Sequence, residues 1–165
     1  MRDPTVTFDR ERADATELTI GIVAARFNGE IVDKLVTGAL TALDEHGAAA
    51  ERIELVHVPG AFELPVVLQA MARTERFDVL VALAAIIRGA TPHFEYISAE
   101  VARGCAQIAL ASDIPVGFGV LTVNSWDQAL ERAGGPLGNK GAEAALSAVE
   151  ALNVLRHLRR IDPEH

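Results

Sequence analysis

The feature of this sequence that most restricts its fold is an alternation: short runs rich in Val, Ile and Leu are each followed by a longer segment of helical period. Leu18 to Ala24 leads into Glu30 to His46, where Ile31, Leu35, Ala39 and Leu43 recur every four residues and Gly47 supplies a helix stop. Arg52 to Val58 then leads into Phe62 to Arg73, and Val79 to Ile87 into Pro92 to Ala111. Val116 to Val123 leads into two helices, Trp126 to Ala133 and Gly141 to Arg159. The third and fourth runs hold almost no polar side chain, as strands buried on both faces should. Strands alternating with helices predict a parallel sheet covered on both sides. No linker divides the chain, so residues 18–165 read as one domain and residues 1–17 as an arm.

Four strands and five helices within 165 residues suit a three-layer α/β/α arrangement of flavodoxin-like type, built on a four-stranded parallel sheet. Composition then removes several classes of function. With 23 acidic against 15 basic side chains the formal charge is −8, and there is no basic field to gather a nucleic acid. The longest apolar run, Val79 to Ile87, covers 9 residues. A membrane span needs roughly 20. Met1 to Arg12 is mostly polar and does not read as a signal peptide, so a cytosolic protein is expected. The lone Cys105 cannot form an internal disulfide, and no Cys/His cluster surrounds it to make a zinc site. It reads as a small buried hydrophobe. The last helix sets Ala142, Ala144, Ala145, Ala148 and Ala151 beside Leu146, Val149, Leu152 and Leu155. Such a stripe serves either self-association or packing on the chain's own sheet, and the two readings are evenly matched.

Ligands of open α/β sheets bind at the carboxyl ends of the strands, and each strand here is followed by unusual residues. These are Arg26-Phe27-Asn28, then Pro59 to Glu63, then Arg88 to Glu95, then Thr122-Val123-Asn124. In the third loop Thr91 reads as an N-cap with Pro92 at the first helical position, so free N–H groups and the helix dipole would face an anion such as phosphate. Gly89 allows close approach to that backbone. His93, in the first turn, is suited to moving protons near neutral pH; a helix-start histidine bonded to backbone is the alternative. Glu95 either orients it or favours the dipole. From its position alone Phe27 reads as a hydrophobic staple for the helix rather than a ring for stacking a heterocycle, and Glu63 is dipole compensation or a hydroxyl acceptor. Gly117-Phe118-Gly119 lacks the third glycine of a dinucleotide fingerprint and lies within a strand. Ser125 to Gln128 fits a capping box, which makes Trp126 structural.

Taken together, Ala25-Arg26-Phe27-Asn28, Pro59 to Pro65, Ile87 to Tyr96, Phe118 to Thr122, Gln128-Ala129 with Glu131 to Gly134, and Gly138 to Gly141 resemble the lumazine synthase family. The resemblance runs over roughly Leu18 to Leu158, with small departures at Ala85 and at Trp126-Asp127. It implies the penultimate step of riboflavin biosynthesis: condensation of 5-amino-6-(D-ribitylamino)uracil with 3,4-dihydroxy-2-butanone 4-phosphate to give 6,7-dimethyl-8-ribityllumazine, phosphate and water. The family needs neither cofactor nor metal. By this resemblance Phe27 stacks on the pyrimidine, Ala61, Phe62 and Glu63 hold the ribityl chain, and Ala85, Ile86 and Ile87 offer backbone to the uracil edge. Ala90 and Thr91 take the phosphate with Arg132, His93 transfers protons, and Phe118 and Lys140 complete the pocket.

The family also implies that Phe118, Arg132 and Lys140 reach in from the adjacent subunit of a pentamer. The short turn Gly134 to Gly138 resembles that of relatives in which twelve pentamers close into a 60-subunit shell, and riboflavin synthase is a further candidate partner. Thr5-Val6-Thr7-Phe8, preceded by Pro4, alternates like a strand that would add to a neighbour's sheet. A flavin carrier of the same fold would have no use for His93, and a catalytically silent shell protein would lose His93 or Arg132. A receiver domain would need acidic residues where Arg26-Phe27 stands.

Overall fold

The computed structural model describes Thr5 and residues 7–161. In chain order the elements are β1 (Ile20–Ala25), α1 (Gly29–Glu45), β2 (Ile53–Val58), α2 (Leu64–Arg73), β3 (Val79–Ile87), α3 (His93–Ser112), β4 (Val116–Val123), α4 (Trp126–Arg132), β5 (Ala133–Gly135), β6 (Gly138–Asn139) and α5 (Lys140–Ile161). The main sheet has the order β2-β1-β3-β4 and all its pairings are parallel. One apolar core lies between the sheet and α1 with α5, and a second between the sheet and α2 with α3. The expected three-layer architecture is the one observed.

Central and edge strands differ in ways the apolar runs conceal. Every residue of β1 is buried, as is β3 from Val79 to Ala85. β4 departs from expectation: it is an edge strand, and its Phe118 and Thr122 are exposed because no further element of the described residues covers them. Gly117 and Gly119 lie within it as read from sequence, and α5 packs so closely there that a Cβ at Gly117 would run into the Ala144 carbonyl.

The alanine-rich stripe of α5 serves its own core. Ala144, Ala145, Ala148, Val149 and Leu152 are buried in the core shared with α1 and the sheet, whereas Ala142 and Leu155 are half-buried and Ala151 is exposed, so only one face of the stripe is used within the chain. Close packing continues at Gly141, where a Cβ would meet the Leu35 carbonyl of α1. The turn at Gly134 to Gly138 belongs to a small antiparallel hairpin, β5 with β6, that the sequence reading did not anticipate. Leu137 donates its N–H to the Glu131 carbonyl at 2.9 Å and folds the hairpin back on α4.

Helix starts also shift. The segment read as a helix from Phe62 begins with a 3-10 turn, Ala61–Glu63, and α2 follows with Pro65 in its first turn. α3 starts at His93, with Pro92 at the N-cap and no side-chain capping bond, so Thr91 is not the cap. Near the N-terminus, Arg10–Arg12 forms one 3-10 turn, and the ring of Phe8 meets His157 edge-on at 5.6 Å. Thr7 and Phe8 form no strand within the chain; Pro4 and Val6 of the proposed arm strand lie outside the described residues.

Candidate active site

The chain direction across the sheet reverses between β1 and β3: β2 lies outside β1 on one side, whereas β3 and β4 extend the other. Beyond the carboxyl ends of strands that part in this way a crevice opens. Here it is a cleft of about 640 Å³, lined by Ala25, Phe27, Pro59 to Glu63, Ala84 to Ile87, Gly89, Thr91, His93, Phe94 and Ile97. Most of the wall is apolar, with Glu63, Thr91 and His93 as the polar side chains, a balance that suits an aromatic ligand carrying a few hydrogen-bonding groups.

Local hydrogen bonds explain how each loop holds its shape. Arg26 and Phe27 donate their N–H groups to the carbonyls of Val58 and Pro59, at 2.8 and 3.0 Å, which fixes the first loop against the second. Asn28 then adopts a left-handed conformation (φ 56°), and its Nδ2 donates to the Ala85 carbonyl across the crevice at 2.8 Å. Asparagine tolerates that backbone better than most residues do. With its backbone pinned, the Phe27 ring stands 71% exposed, which is incompatible with a staple buried against α1. Glu63 Oε2 accepts from the Gly60 N–H at 3.0 Å and closes the 3-10 turn on itself.

In the third loop the His93 ring lies in the cleft wall and has no hydrogen-bond partner among the described residues. Backbone capping therefore does not occupy it. Thr91 and Gly89 line the cleft, whereas Ala90 is exposed and does not. Glu95 is engaged by Arg88 rather than by His93. That hydrogen bond from Arg88, with a smaller contribution from the backbone, holds the Glu95 carboxyl below its ordinary pKa.

Phe118, Arg132 and Lys140 lie elsewhere. They line a separate groove of about 490 Å³ along β4 and α5, together with Arg10, Thr122, Glu143 and Ser147. Arg132 Nη1 donates to the Gln128 carbonyl at 3.0 Å and to Glu131 Oε2 at 3.2 Å, and Lys140 Nζ bonds Glu143 Oε2 at 2.6 Å. The groove and the cleft share no lining residue. Within one chain, then, the structure brings Phe27, Ala61, Phe62, Glu63, Ala85, Ile86, Ile87, Thr91 and His93 together, leaves Ala90 just outside the cleft lining, and sets Phe118, Arg132 and Lys140 apart.

Residues outside the site behave as packing elements. Cys105 is buried, and burial pushes its thiol up to about 11. His46 lies between two carbonyls, with Nδ1 2.8 Å from the Ala42 oxygen and Nε2 3.0 Å from the Arg10 oxygen, and its one ring N–H in the neutral form donates to one of them. Ser125 caps α4 by accepting from the Gln128 N–H at 3.2 Å, but Gln128 Oε1 accepts from Asn124 rather than Ser125, so the expected box is only half formed. Sequence reasoning gave no role to Arg88, Asn124 or Arg10. Arg88 stood inside a quoted motif, but its partner Asn124 is 36 positions away, and Arg10 has no local signal at all. Among the described residues no three His, Cys, Asp or Glu side chains meet as metal ligands, and no helix is long and apolar enough to cross a membrane.

A parallel α/β/α fold with an aromatic-flanked cleft at the strand ends, a histidine in its wall and a helix start facing it defines a small-molecule enzyme of flavodoxin-like architecture. The family is more definite. Residues 17–156 match the model of the family described as 6,7-dimethyl-8-ribityllumazine synthase, and the chain belongs to that family. A protein of Anaeromyxobacter sp. (strain Fw109-5) with that name is 52% identical over 147 residues, which cover 89% of this chain and 90% of the relative. One of Clostridium kluyveri, named likewise, is 48% identical over 147 residues, 89% of this chain and 96% of the relative.

Proposed function

We propose that this chain is a transferase that condenses 5-amino-6-(D-ribitylamino)uracil with 3,4-dihydroxy-2-butanone 4-phosphate to 6,7-dimethyl-8-ribityllumazine. The observation that carries the reading is the cleft itself, a largely apolar crevice between exposed Phe27 and Phe62 with an unoccupied imidazole at its rim. Phe27 stacks on the pyrimidine, the Ala61–Glu63 turn holds the ribityl chain, and the backbone of Ala85, Ile86 and Ile87 meets the uracil edge. The phosphate sits at the start of α3 near Ala90 and Thr91, where the helix dipole favours an anion. His93 moves the protons as the amine and ketone form an imine and phosphate leaves.

The separation of the two clefts is what supports assembly. Arg132, Lys140 and Phe118 cannot join His93 within one chain, but a ring in which the β4 edge of one chain meets the cleft of the next brings them together. In this reading the oligomer is a pentamer, and twelve pentamers form a 60-subunit shell. The arm adds a strand to a neighbour's sheet, since among the described residues both β2 and β4 present an open edge. The setting is the cytosol, and the product makes riboflavin synthase a candidate partner. Incubating the purified protein with both substrates and following lumazine absorbance tests the activity. Light scattering tests the assembly: a particle of about five chains overturns the shell alone, and an active monomer overturns the shared site as well.

A further inference from the structure

The loop that carries Thr91 and His93 packs on very little. Gly89, Ala90, Thr91 and His93 are all exposed, and a Cβ at Gly89 would meet nothing within 4 Å. Its shape is set from its ends, and Arg88 holds both. The Arg88 N–H donates to the Val123 carbonyl at 2.8 Å. Its Nε donates to Asn124 Oδ1 at 3.0 Å, its Nη1 is bonded to Glu95 Oε1, and its guanidinium carbon lies 4.4 Å from the centre of the Phe94 ring. One planar group therefore ties the first turn of α3 to the loop after β4. From there the Asn124 N–H donates to Gln128 Oε1 at 2.7 Å, and the Gln128 carbonyl accepts from Arg132 at 3.0 Å.

This arrangement contributes little to stability. The Arg88 and Glu95 side chains are about half exposed, 45% and 52%, and ion pairs open to solvent add little. Its consequence is geometric. We propose that Arg88 is a positioning residue for the condensation: by clamping Phe94 and Glu95 on one side and Asn124 on the other, it fixes the Gly89–Thr91 backbone and the His93 ring. This rests on the reaction assigned above. Arginine suits the role because its planar fork serves two acceptors and lies against a ring at once, whereas lysine carries the charge on a single nitrogen.

The test compares Arg88→Ala, Arg88→Lys, Asn124→Ala and the Arg88→Ala/Asn124→Ala pair with wild type. In Arg88→Ala, kcat falls roughly 10- to 100-fold, because small misplacement of a reacting group costs that much. KM for the uracil substrate stays within about threefold, since the groups that bind it are untouched. Arg88→Lys recovers part of the loss through its charge on Glu95. Asn124→Ala loses less, and the pair is no slower than Arg88→Ala alone, because both changes open the same clamp. Unchanged kcat in Arg88→Ala, or losses that multiply in the pair, overturns the proposal. Amide hydrogen exchange over residues 89–94 reads the clamp without catalysis: faster exchange in Arg88→Ala supports it and unchanged exchange overturns it. A wild-type chain that makes no lumazine overturns the assigned reaction instead.

Discussion

Replacing His93 with alanine separates a chemical role from a structural one. The ring has no hydrogen-bond partner among the described residues and is exposed, so its removal empties no core and orphans no buried group. Stability should change by no more than about 0.5 kcal/mol, the range of ordinary surface substitutions. The rate should respond quite differently. Proton transfer by a positioned side chain is worth roughly 10² to 10⁴. The lower end applies here, because an amine and a ketone held side by side still react slowly. The expected loss in kcat is therefore about 10²-fold, or roughly 2.7 kcal/mol added to the barrier. Lumazine formation at saturating substrates measures the rate, and urea unfolding of the same preparation measures stability. Wild-type turnover, or a rate loss matched by a large drop in the unfolding midpoint, would refute the reasoning.

If Arg132 grips the phosphate as proposed, Arg132→Ala should chiefly weaken use of the phosphorylated ketone through the loss of a charge-assisted contact, and calorimetry with a lumazine analogue should show nearly unchanged binding. Asn28→Ala should destabilise by about 2 kcal/mol, combining a lost hydrogen bond with the cost of a left-handed residue. Asn28→Gly should lose only about 1, because glycine accepts that backbone; equal urea midpoints would refute the division. Glu95 should titrate below the usual glutamate value in wild type and return towards it in Arg88→Ala, as read by carboxyl chemical shifts. A folded-state value that is lowered contributes stability above the unfolded value that is lost as pH falls through the folded one, so the Arg88–Glu95 contact weakens only in acid while those of Arg88 to Asn124 and Phe94 remain.

How far the sequence could be read depended on whether a feature was local. β1 and β3 were legible because a continuous apolar run has few other places to go, and Gly117-Phe118-Gly119 was correctly kept inside a strand. That β4 lies at the edge was not legible, since an apolar strand looks the same whether or not a neighbour covers it. The stripe on α5 announced close packing but not its partner, which proved to be α1 and the chain's own sheet. The hairpin at Ala133–Gly135 and Gly138–Asn139 is too short and glycine-rich to show alternation. In the site, His93 could be singled out from loop position alone, whereas Phe27 reads there as a staple and only its exposure shows otherwise, and the separation of both from Arg132 and Lys140 depends on side chains far apart in sequence.

The central claim is that a working site needs the cleft of one chain and the groove of another. Mixing His93→Ala with Arg132→Ala, after dissociation and reassembly, tests it most directly. Each variant alone has a defect in every site. In a random equimolar mixture a site has an intact His93 from one chain and an intact Arg132 from its neighbour about one time in four, so lumazine formation should rise to about a quarter of wild type. A mixture no more active than the mean of the two variants would contradict the shared site.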